Sequence, residues 1–414
     1  MFFRRYTYLL KDQVWSRVFT LTLILFFLFL GDGILSYWAP NLIEKTFGSA
    51  SVMGLVVSFS SIIGLGADLI LPQIIKNAKV RNLLMGGVFG VFVFALNLIL
   101  GLKLPYMGIF LLAMAVWGLY YEFFAFASQQ FVADSVPFKM HSSSWAFLGT
   151  FKSLAYFLGP LIAGWVVLRG EANPALMAML FAFIGFLALF FSKKGNDRPI
   201  EIDTTQVDLV SEIEHWYILF RHVWPVVILS LFMGLVDATF WTTGATWTQT
   251  LSKQSFIGGF FLPAYQLPSL FMGFIIAKWG VYKGKKKMAE IFLLLAGIFL
   301  ALLGVSANVY WQISMVFISS IMLSVSYPMT DATYSDVISR MGRERKHLIG
   351  LSNSTMSLAY VVGPALAGFI TQAVGARISF VVWGLVVIFV SGMLLLVTPK
   401  KLRLPQEEIQ NWET

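Results

Sequence analysis

The sequence contains no cysteine, which excludes disulfide bonds, thiolate metal sites and cysteine nucleophiles. It has only four histidines, all outside the hydrophobic runs, so proton chemistry within those runs falls to carboxylates. The pattern shows no metal-ligand cluster, phosphate-binding loop or nucleophile elbow. We therefore expect a protein that is not an enzyme and that uses neither a metal nor another cofactor.

Charged residues are also scarce, at 12% of the chain compared with about 25% in soluble domains. Hydrophobic residues make up 58%, and apolar runs of about 20 residues, the length that crosses the hydrocarbon core, recur along the chain. The first run follows Arg17 and exceeds the roughly 7–15 residues of a signal-peptide core, so we interpret it as a retained span. The sequence predicts an all-α membrane protein with twelve spans. These are residues 18–40, 50–72, 82–101, 106–130, 144–168, 174–192, 223–246, 256–278, 289–308, 312–335, 348–371 and 378–398.

The net charge of +9 is distributed in the manner of a membrane protein and not of a nucleic-acid-binding protein. With both termini in the cytoplasm, 24 of the 30 lysines and arginines fall on the cytoplasmic side. This bias matches the positive-inside rule and predicts that orientation in a bacterial inner (plasma) membrane. The basic clusters at 76–81, 283–287 and 343–346 are then loops that face anionic lipid.

One polar inner segment divides six spans from six. Four regions are predicted: a six-helix bundle over 1–192, a cytoplasmic linker over 193–222, a second six-helix bundle over 223–398 and a cytoplasmic tail over 399–414. Within the linker, apolar residues recur at helical spacing after a capping-box pattern, so we expect a short amphipathic helix on the inner membrane surface.

The chain repeats itself at about half its length. SLAYFLGPLIAG begins at Ser153, and SLAYVVGPALAG begins at Ser357, 204 residues later, with eight of twelve residues identical. Asp32 and Asp237, in the first and seventh spans, are separated by a similar 205 residues. The two bundles are therefore predicted to be pseudo-symmetric, which is typical of carriers that open a central site to each side in turn.

With these features the chain resembles the major facilitator superfamily over essentially its full length. The fifth and eleventh spans are similar to the antiporter motif of that family, in which small residues surround a Gly-Pro pair. The matching positions here are Gly159, Pro160, Gly164, Gly363, Pro364 and Gly368. Small residues on one face let helices approach closely and a Gly-Pro pair permits bending, so we expect these gating helices to form a moving contact between the halves. Static helix packing is the alternative interpretation.

Carboxylates within the spans are candidate sites because a charge there costs at least about 2.5–3.5 kcal/mol. Asp32 lies roughly 22 Å beyond Arg17 and Asp237 roughly 24 Å beyond Arg221 along their helices. We predict that both bind a proton or a cationic group, and satisfaction by local hydroxyl or backbone partners is the alternative. Asp68 is a weaker candidate of the same kind, whereas Asp134 and Asp336 are interpreted as helix-end partners of loop cations.

Glu122 and Lys152 lie at similar depth on neighbouring antiparallel spans, so we predict that they form a buried pair. The pair either stabilises the fold or takes part in coupling or in substrate binding. Trp117, Tyr121 and Trp241 lie beside these charges and form a candidate cation–π surface.

The predicted function is a secondary active transporter that acts as a monomer with a small-molecule substrate, protons and membrane lipids as its partners. Proton-coupled export of a lipophilic or cationic compound, as in multidrug efflux antiporters, is the first hypothesis. Proton-coupled uptake of a neutral or polar nutrient is the second. A non-transporting receptor or assembly factor is the hypothesis from a different class.

Overall fold

The computed structural model describes residues 13–74, 79–136, 141–192, 209–279, 284–338 and 345–398, and every regular element in these ranges is helical. The first six helices are α1 Gln13–Phe47, α2 Ala50–Ile74, α3 Val80–Lys103, α4 Met107–Ser135, α5 His141–Val167 and α6 Asn173–Phe191. The later helices are α7 Leu209–Thr239, α8 Ala245–Gln254, α9 Phe261–Gln266, α10 Ser269–Trp279, α11 Lys285–Ala301, α12 Val309–Ile338, α13 Arg345–Val374 and α14 Ala376–Val397. The prediction of an all-α membrane protein is confirmed.

Eleven helical stretches of the described chain are long and apolar enough to cross a membrane. The seventh stretch is continuous from α7 to α8 through a π-helical turn at Phe240–Gly244. The predicted eighth span, residues 256–278, is interrupted instead. It holds a 3₁₀ turn at Phe256–Phe260 followed by α9 and α10, with Pro268 at the break, where a backbone N–H donor is missing. The two least hydrophobic spans are those in α5 and α13, the helices that carry the repeated sequence.

The chain divides into two compact units. The first comprises Met1–Gly48 and Phe59–Asp203, and the second comprises Ser49–Ser58 and Thr204–Thr414. Helix α1 packs on α5 in the first unit as α7 packs on α13 in the second, and the pair α3–α4 corresponds to α11–α12 in the same way. The sequence repeat is therefore also a repeat of helix packing.

The predicted linker helix needs a correction. Residues 193–208 lie outside the described residues, but Leu209–His222 form the first part of α7 and continue into the seventh span. They do not form a separate helix on the membrane surface. Leu219 and Val223 are buried against Tyr334 and Leu348, so the apolar face of this segment contributes to the core of the second unit.

Candidate functional site

The first unit holds a carboxylate surrounded by hydrogen-bond donors from three helices. Asp32 on α1 is almost fully buried. The hydroxyl of Tyr120 and the indole Nε1 of Trp117, both on α4, donate to Oδ1, the latter at 2.9 Å. The hydroxyl of Tyr156 on α5 donates to Oδ2 at 2.5 Å, and Ser36 donates to the same oxygen at 3.4 Å. These donors are uncharged, and they offset much of the cost of burying the carboxylate.

Close helix packing brings these donors to Asp32. A Cβ atom on Gly159 of α5 would lie 2.6 Å from the carbonyl carbon of Gly33, so glycine is required for α5 to approach α1. A Cβ atom on Gly90 of α3 would lie 2.4 Å from the Cβ of Tyr120. The glycines at these two contacts therefore set the distance between the carboxylate and its donors.

Lys152 lies on α5, one turn before Tyr156. Its Nζ donates to the hydroxyl of Tyr121 at 2.6 Å, and it lies 5.0–5.9 Å from the ring centroids of Phe29, Tyr121 and Tyr156. It is also close enough to attract the carboxylate of Asp32 electrostatically. An ammonium group held over aromatic faces keeps its charge at a lower desolvation cost than in a purely aliphatic environment.

The second unit holds an equivalent carboxylate. Asp237 on α7 is half-buried, and it accepts hydrogen bonds from the hydroxyls of Tyr265 on α9 and Tyr360 on α13. Tyr360 is the fourth residue of the repeated SLAY sequence, and Tyr156 is its counterpart in the first copy. Each copy of the repeat therefore provides a tyrosine hydroxyl to the intramembrane aspartate of its own unit.

The surroundings of Asp237 hold Tyr265 firmly in place. The ring of Phe240, the first residue of the π-helical turn, stacks on the ring of Tyr265 with centroids 3.8 Å apart. Ser320 of α12 donates to the backbone carbonyl of Tyr265. π-helical turns are rare and concentrate at functional sites, where they reorient the side chains that follow.

The structure brings several predicted residues together. The first carboxylate site contains or adjoins Asp32, Trp117, Tyr121 and Lys152. Asp237 is the centre of the second site.

Glu122 lies on α4 with its Oε1 near Gly64 of α2. Trp241 is half-buried in the π-helical turn next to the second site. The side chains of Asp68 and Asp134 lie outside the described part of the structure.

Sequence reasoning missed four tyrosines as carboxylate partners, which are Tyr120, Tyr156, Tyr265 and Tyr360. Tyr156 and Tyr360 were visible in the repeated motif, and a polar residue kept at the same place in both copies of an apolar helix is the signal that identifies them. Tyr265 has no such signal, because it lies in the interrupted eighth span.

The Gly-Pro residues of the two motifs have different neighbours. Gly159 packs on Gly33 of α1, and Gly363 packs on Ala238 of α7, so both face their own bundle. The opposite face of α13 meets the first residues of α2, which belong to the second unit. There a Cβ atom on Gly54 would lie 2.2 Å from the carbonyl oxygen of Pro364, and one on Gly368 would lie 2.4 Å from the carbonyl oxygen of Ala50.

Hydrogen bonds accompany this contact between α2 and α13. The backbone N–H of Ala50 donates to Gln372 Oε1 at 2.9 Å, and that of Ala365 donates to Ser58 Oγ at 3.0 Å. Among the described residues, no group of three or more His, Asp or Glu side chains is placed to hold a metal ion.

Comparison with known proteins gives one matching family model. The model is that of the Major Facilitator Superfamily, and it matches residues 21–343 and 244–413. The chain is 22% identical over 303 residues to the staphylopine export protein of Staphylococcus aureus, which covers 70% of this chain and 74% of that relative.

Solved transporter structures share the fold. The human organic anion transporter MFSD10 (TETRAN) superposes with a TM-score of 0.65 at 17% identity, over 93% of this chain and all of the other. The peptide transporter POT in complex with sulfate gives 0.73 at 12% identity, over 91% and 93% of the two chains. The nucleoside transporter NupG gives 0.67 at 10% identity, over 93% and 98%.

Proposed function

This chain belongs to the major facilitator superfamily of secondary transporters, and we propose that it is a proton-coupled antiporter that exports an organic solute. The proposed membrane is the bacterial inner membrane, with both termini in the cytoplasm and the monomer as the transporting unit. Asp32 and Asp237 are the proposed proton-binding groups.

One observation carries this proposal: each unit places one aspartate carboxylate under two tyrosine hydroxyls, and in each unit one of the two tyrosines comes from the repeated SLAY sequence. A tyrosine hydroxyl donates to a charged carboxylate and accepts from a protonated one. The hydroxyls therefore satisfy both protonation states without rearrangement of the helices. A site that tolerates both states is what proton coupling requires.

The proposed direction of transport and the proposed class of solute are supported by other observations than the carboxylate sites. The relative from Staphylococcus aureus is named as an export protein, which favours export over the alternative of nutrient uptake. The two carboxylates and the aromatic residues Trp117, Tyr121 and Trp241 favour a lipophilic or cationic solute. Lys152, Glu122 and Asp68 are proposed to serve coupling or substrate binding.

Transport in everted membrane vesicles tests the coupling. Ethidium and staphylopine are suitable first probes, and a pH gradient should drive their accumulation in vesicles that contain the wild-type chain. Asp32→Asn and Asp237→Asn should each abolish gradient-driven accumulation, because asparagine keeps the hydrogen bonds but cannot exchange a proton. Asp336→Asn is the matched control, since this carboxylate lies near the end of α12, and it should transport like the wild type. Full gradient-driven transport by the Asp32→Asn/Asp237→Asn double variant would exclude both carboxylates from coupling.

Motion at the contact between α2 and α13 is tested by crosslinking. The native chain has no cysteine, so a pair introduced as Ala50→Cys and Gln372→Cys reports only on that contact. The pair should crosslink readily without a pH gradient, and the crosslink should block transport because it holds the contact closed. Reduction of the crosslink should restore transport. A crosslinked protein that transports at the full rate would show that this contact is static packing.

A further inference from the structure

Beyond the two carboxylate sites, one face of α12 carries a row of polar side chains. Asp331 and Ser335 are exposed, and Ser324 and Tyr327 are half-exposed on the same side. Their spacing of three, four and seven residues places them on one helical face. Helix α12 is one of the membrane-spanning helices, and a carboxylate that faces lipid is strongly disfavoured. This face therefore borders water or solute and not hydrocarbon.

The carboxylate of Asp331 is available for a ligand. Across the described residues this carboxylate forms no ion pair and accepts no hydrogen bond, and the one side chain that bonds to this residue is Ser335, whose Oγ donates to its backbone carbonyl at 2.9 Å. Five residues later, Asp336 is held by Lys285 Nζ at 2.8 Å. Asp331 thus differs from the carboxylate nearest to it on the same helix.

Tyr327 lies one helical turn before Asp331. Its hydroxyl donates to the backbone carbonyl of Met233 at 2.9 Å, which fixes the ring, and Tyr327 interacts electrostatically with Asp331. It also lies within electrostatic reach of Asp237. A carboxylate next to an aromatic ring is a recurrent means of binding an ammonium group.

The first half of the chain shows that the fold does not need this charge. Gln129 on α4 precedes Asp331 by 202 residues, the offset that also relates Asp134 to Asp336, and Gln129 is exposed like Asp331. An uncharged amide is therefore sufficient at the equivalent place in the other half. Packing of α12 therefore does not require the carboxylate of Asp331.

We propose that Asp331 and the ring of Tyr327 form a binding site for the ammonium group of the transported solute. The site rests on the proposed transport function, and it adds a substrate contact separate from the two tyrosine-bound carboxylates. Tyr327 lies within electrostatic reach of both Asp331 and Asp237, so a cation bound beside its ring opposes protonation of Asp237.

A thiol-reactivity experiment tests the site without knowledge of the natural substrate. Ser335→Cys places a thiol one turn from Asp331 in a chain with no other cysteine. The purified protein in detergent is treated with two methanethiosulfonates of similar size, the cationic 2-(trimethylammonio)ethyl and the anionic 2-sulfonatoethyl reagents. The ratio of the cationic to the anionic rate should fall about tenfold when Asp331→Asn or Asp331→Gln is added, as expected for loss of a unit charge within roughly 6–8 Å in a partly aqueous site.

Controls separate the carboxylate from general effects. Ser314→Cys, near the other end of α12, should react with the same ratio whether or not Asp331 is replaced. Tyr327→Leu should lower the cationic rate at Ser335→Cys, whereas Tyr327→Phe should not, because only the former removes the ring. Asp331→Gln is the variant best tolerated by the fold, since the first half has glutamine there.

Two outcomes overturn the proposal. If neither reagent modifies Ser335→Cys, this face of α12 is not accessible to water or solute. If the rate ratio is unchanged by Asp331→Asn and Asp331→Gln, the carboxylate does not attract cations. Both outcomes leave the proton-coupling proposal intact, because that proposal is tested by gradient-driven transport at Asp32 and Asp237.

Discussion

The two halves of the chain place an aspartate under the tyrosine of the same repeated sequence, but they differ in the residue beside it. In the first half, Lys152 lies next to the buried Asp32. In the second half, the residue 204 positions later is Met356, whose sulfur accepts from Ser230 at 3.4 Å, and Asp237 is only half-buried.

This difference shows which residues of the site occur in both halves and which occur in only one. The aspartate and the tyrosine are present twice, so they belong to the function shared by the halves. The lysine is present once, so it makes the two sites unequal. Its positive charge lies beside only one of the two carboxylates, that of Asp32.

Removing the lysine should give the largest effect. Lys152→Met reproduces the second half and should lower the free energy of unfolding by about 3 kcal/mol, because a carboxylate is left in a low-dielectric site without its cation. Thermal unfolding of the purified protein measures this loss. A second substitution then identifies the partner. If Glu122→Gln restores stability in the Lys152→Met background, the lysine pairs with Glu122; if Asp32→Asn restores it, the lysine serves Asp32. Additive losses in both double variants would contradict any pairing.

The reciprocal change should affect transport more than stability. Met356→Lys places an ammonium group near Asp237 and should reduce gradient-driven transport about tenfold or more, because the new charge opposes protonation of that carboxylate. We expect the free energy of unfolding to change by only about 1–2 kcal/mol, since the new lysine and Asp237 partly offset each other. Met356→Leu is the matched control and should transport normally. Unaltered coupling in Met356→Lys would mean that Asp237 does not exchange the proton.

Loss of one tyrosine hydroxyl should have a moderate effect that differs between the halves. A hydrogen bond to a charged group contributes about 1.5–3 kcal/mol. Tyr360→Phe should cost close to the upper value, whereas Tyr156→Phe should cost close to the lower one, because Lys152 still stabilises the Asp32 carboxylate. Denaturant unfolding of the two variants side by side gives the comparison. Equal costs would indicate that the lysine does not act on Asp32.

The smallest effect is expected at the end of α12. Asp336 is about half exposed and is bound by Lys285, as expected from its position near the basic loop. Ion pairs exposed to this degree contribute about 0–1 kcal/mol. Asp336→Asn should therefore leave both thermal stability and transport close to those of the wild type. A large loss of transport would place this carboxylate in the mechanism instead of at the helix end.

The sequence predicted the fold and the carboxylate at the centre of each site because those features have strong local signals. Apolar runs of membrane-spanning length are unambiguous, and an aspartate within such a run stands out from its neighbours. The repeat offset of about 204 residues is enough by itself to pair Asp32 with Asp237. Interpretation of Asp336 as a helix-end partner was correct for a similar reason, since Lys285 lies in an evident basic cluster.

The donors around the carboxylates could not be predicted in the same way. Tyr120 and Tyr265 reach their carboxylates from helices distant in sequence, and only the packing of those helices reveals the contacts. The π-helical turn at Phe240–Gly244 has no marker such as proline in its sequence. The interruption of the eighth span was signalled by Pro268, but a proline in a membrane helix more often bends the helix than divides it.

The low hydrophobicity of α5 and α13 has a consequence for biogenesis. These two helices, the least apolar of the spans, carry Tyr156 and Tyr360, and α5 also carries Lys152. A marginally apolar segment partitions into the bilayer poorly by itself, and earlier helices of the chain lower that barrier by packing against it. Helices α1 and α7, made first, are the packing partners of α5 and α13. The hydrogen bond between each aspartate and the tyrosine of the repeated sequence would therefore also favour insertion of α5 and α13 into the membrane during synthesis.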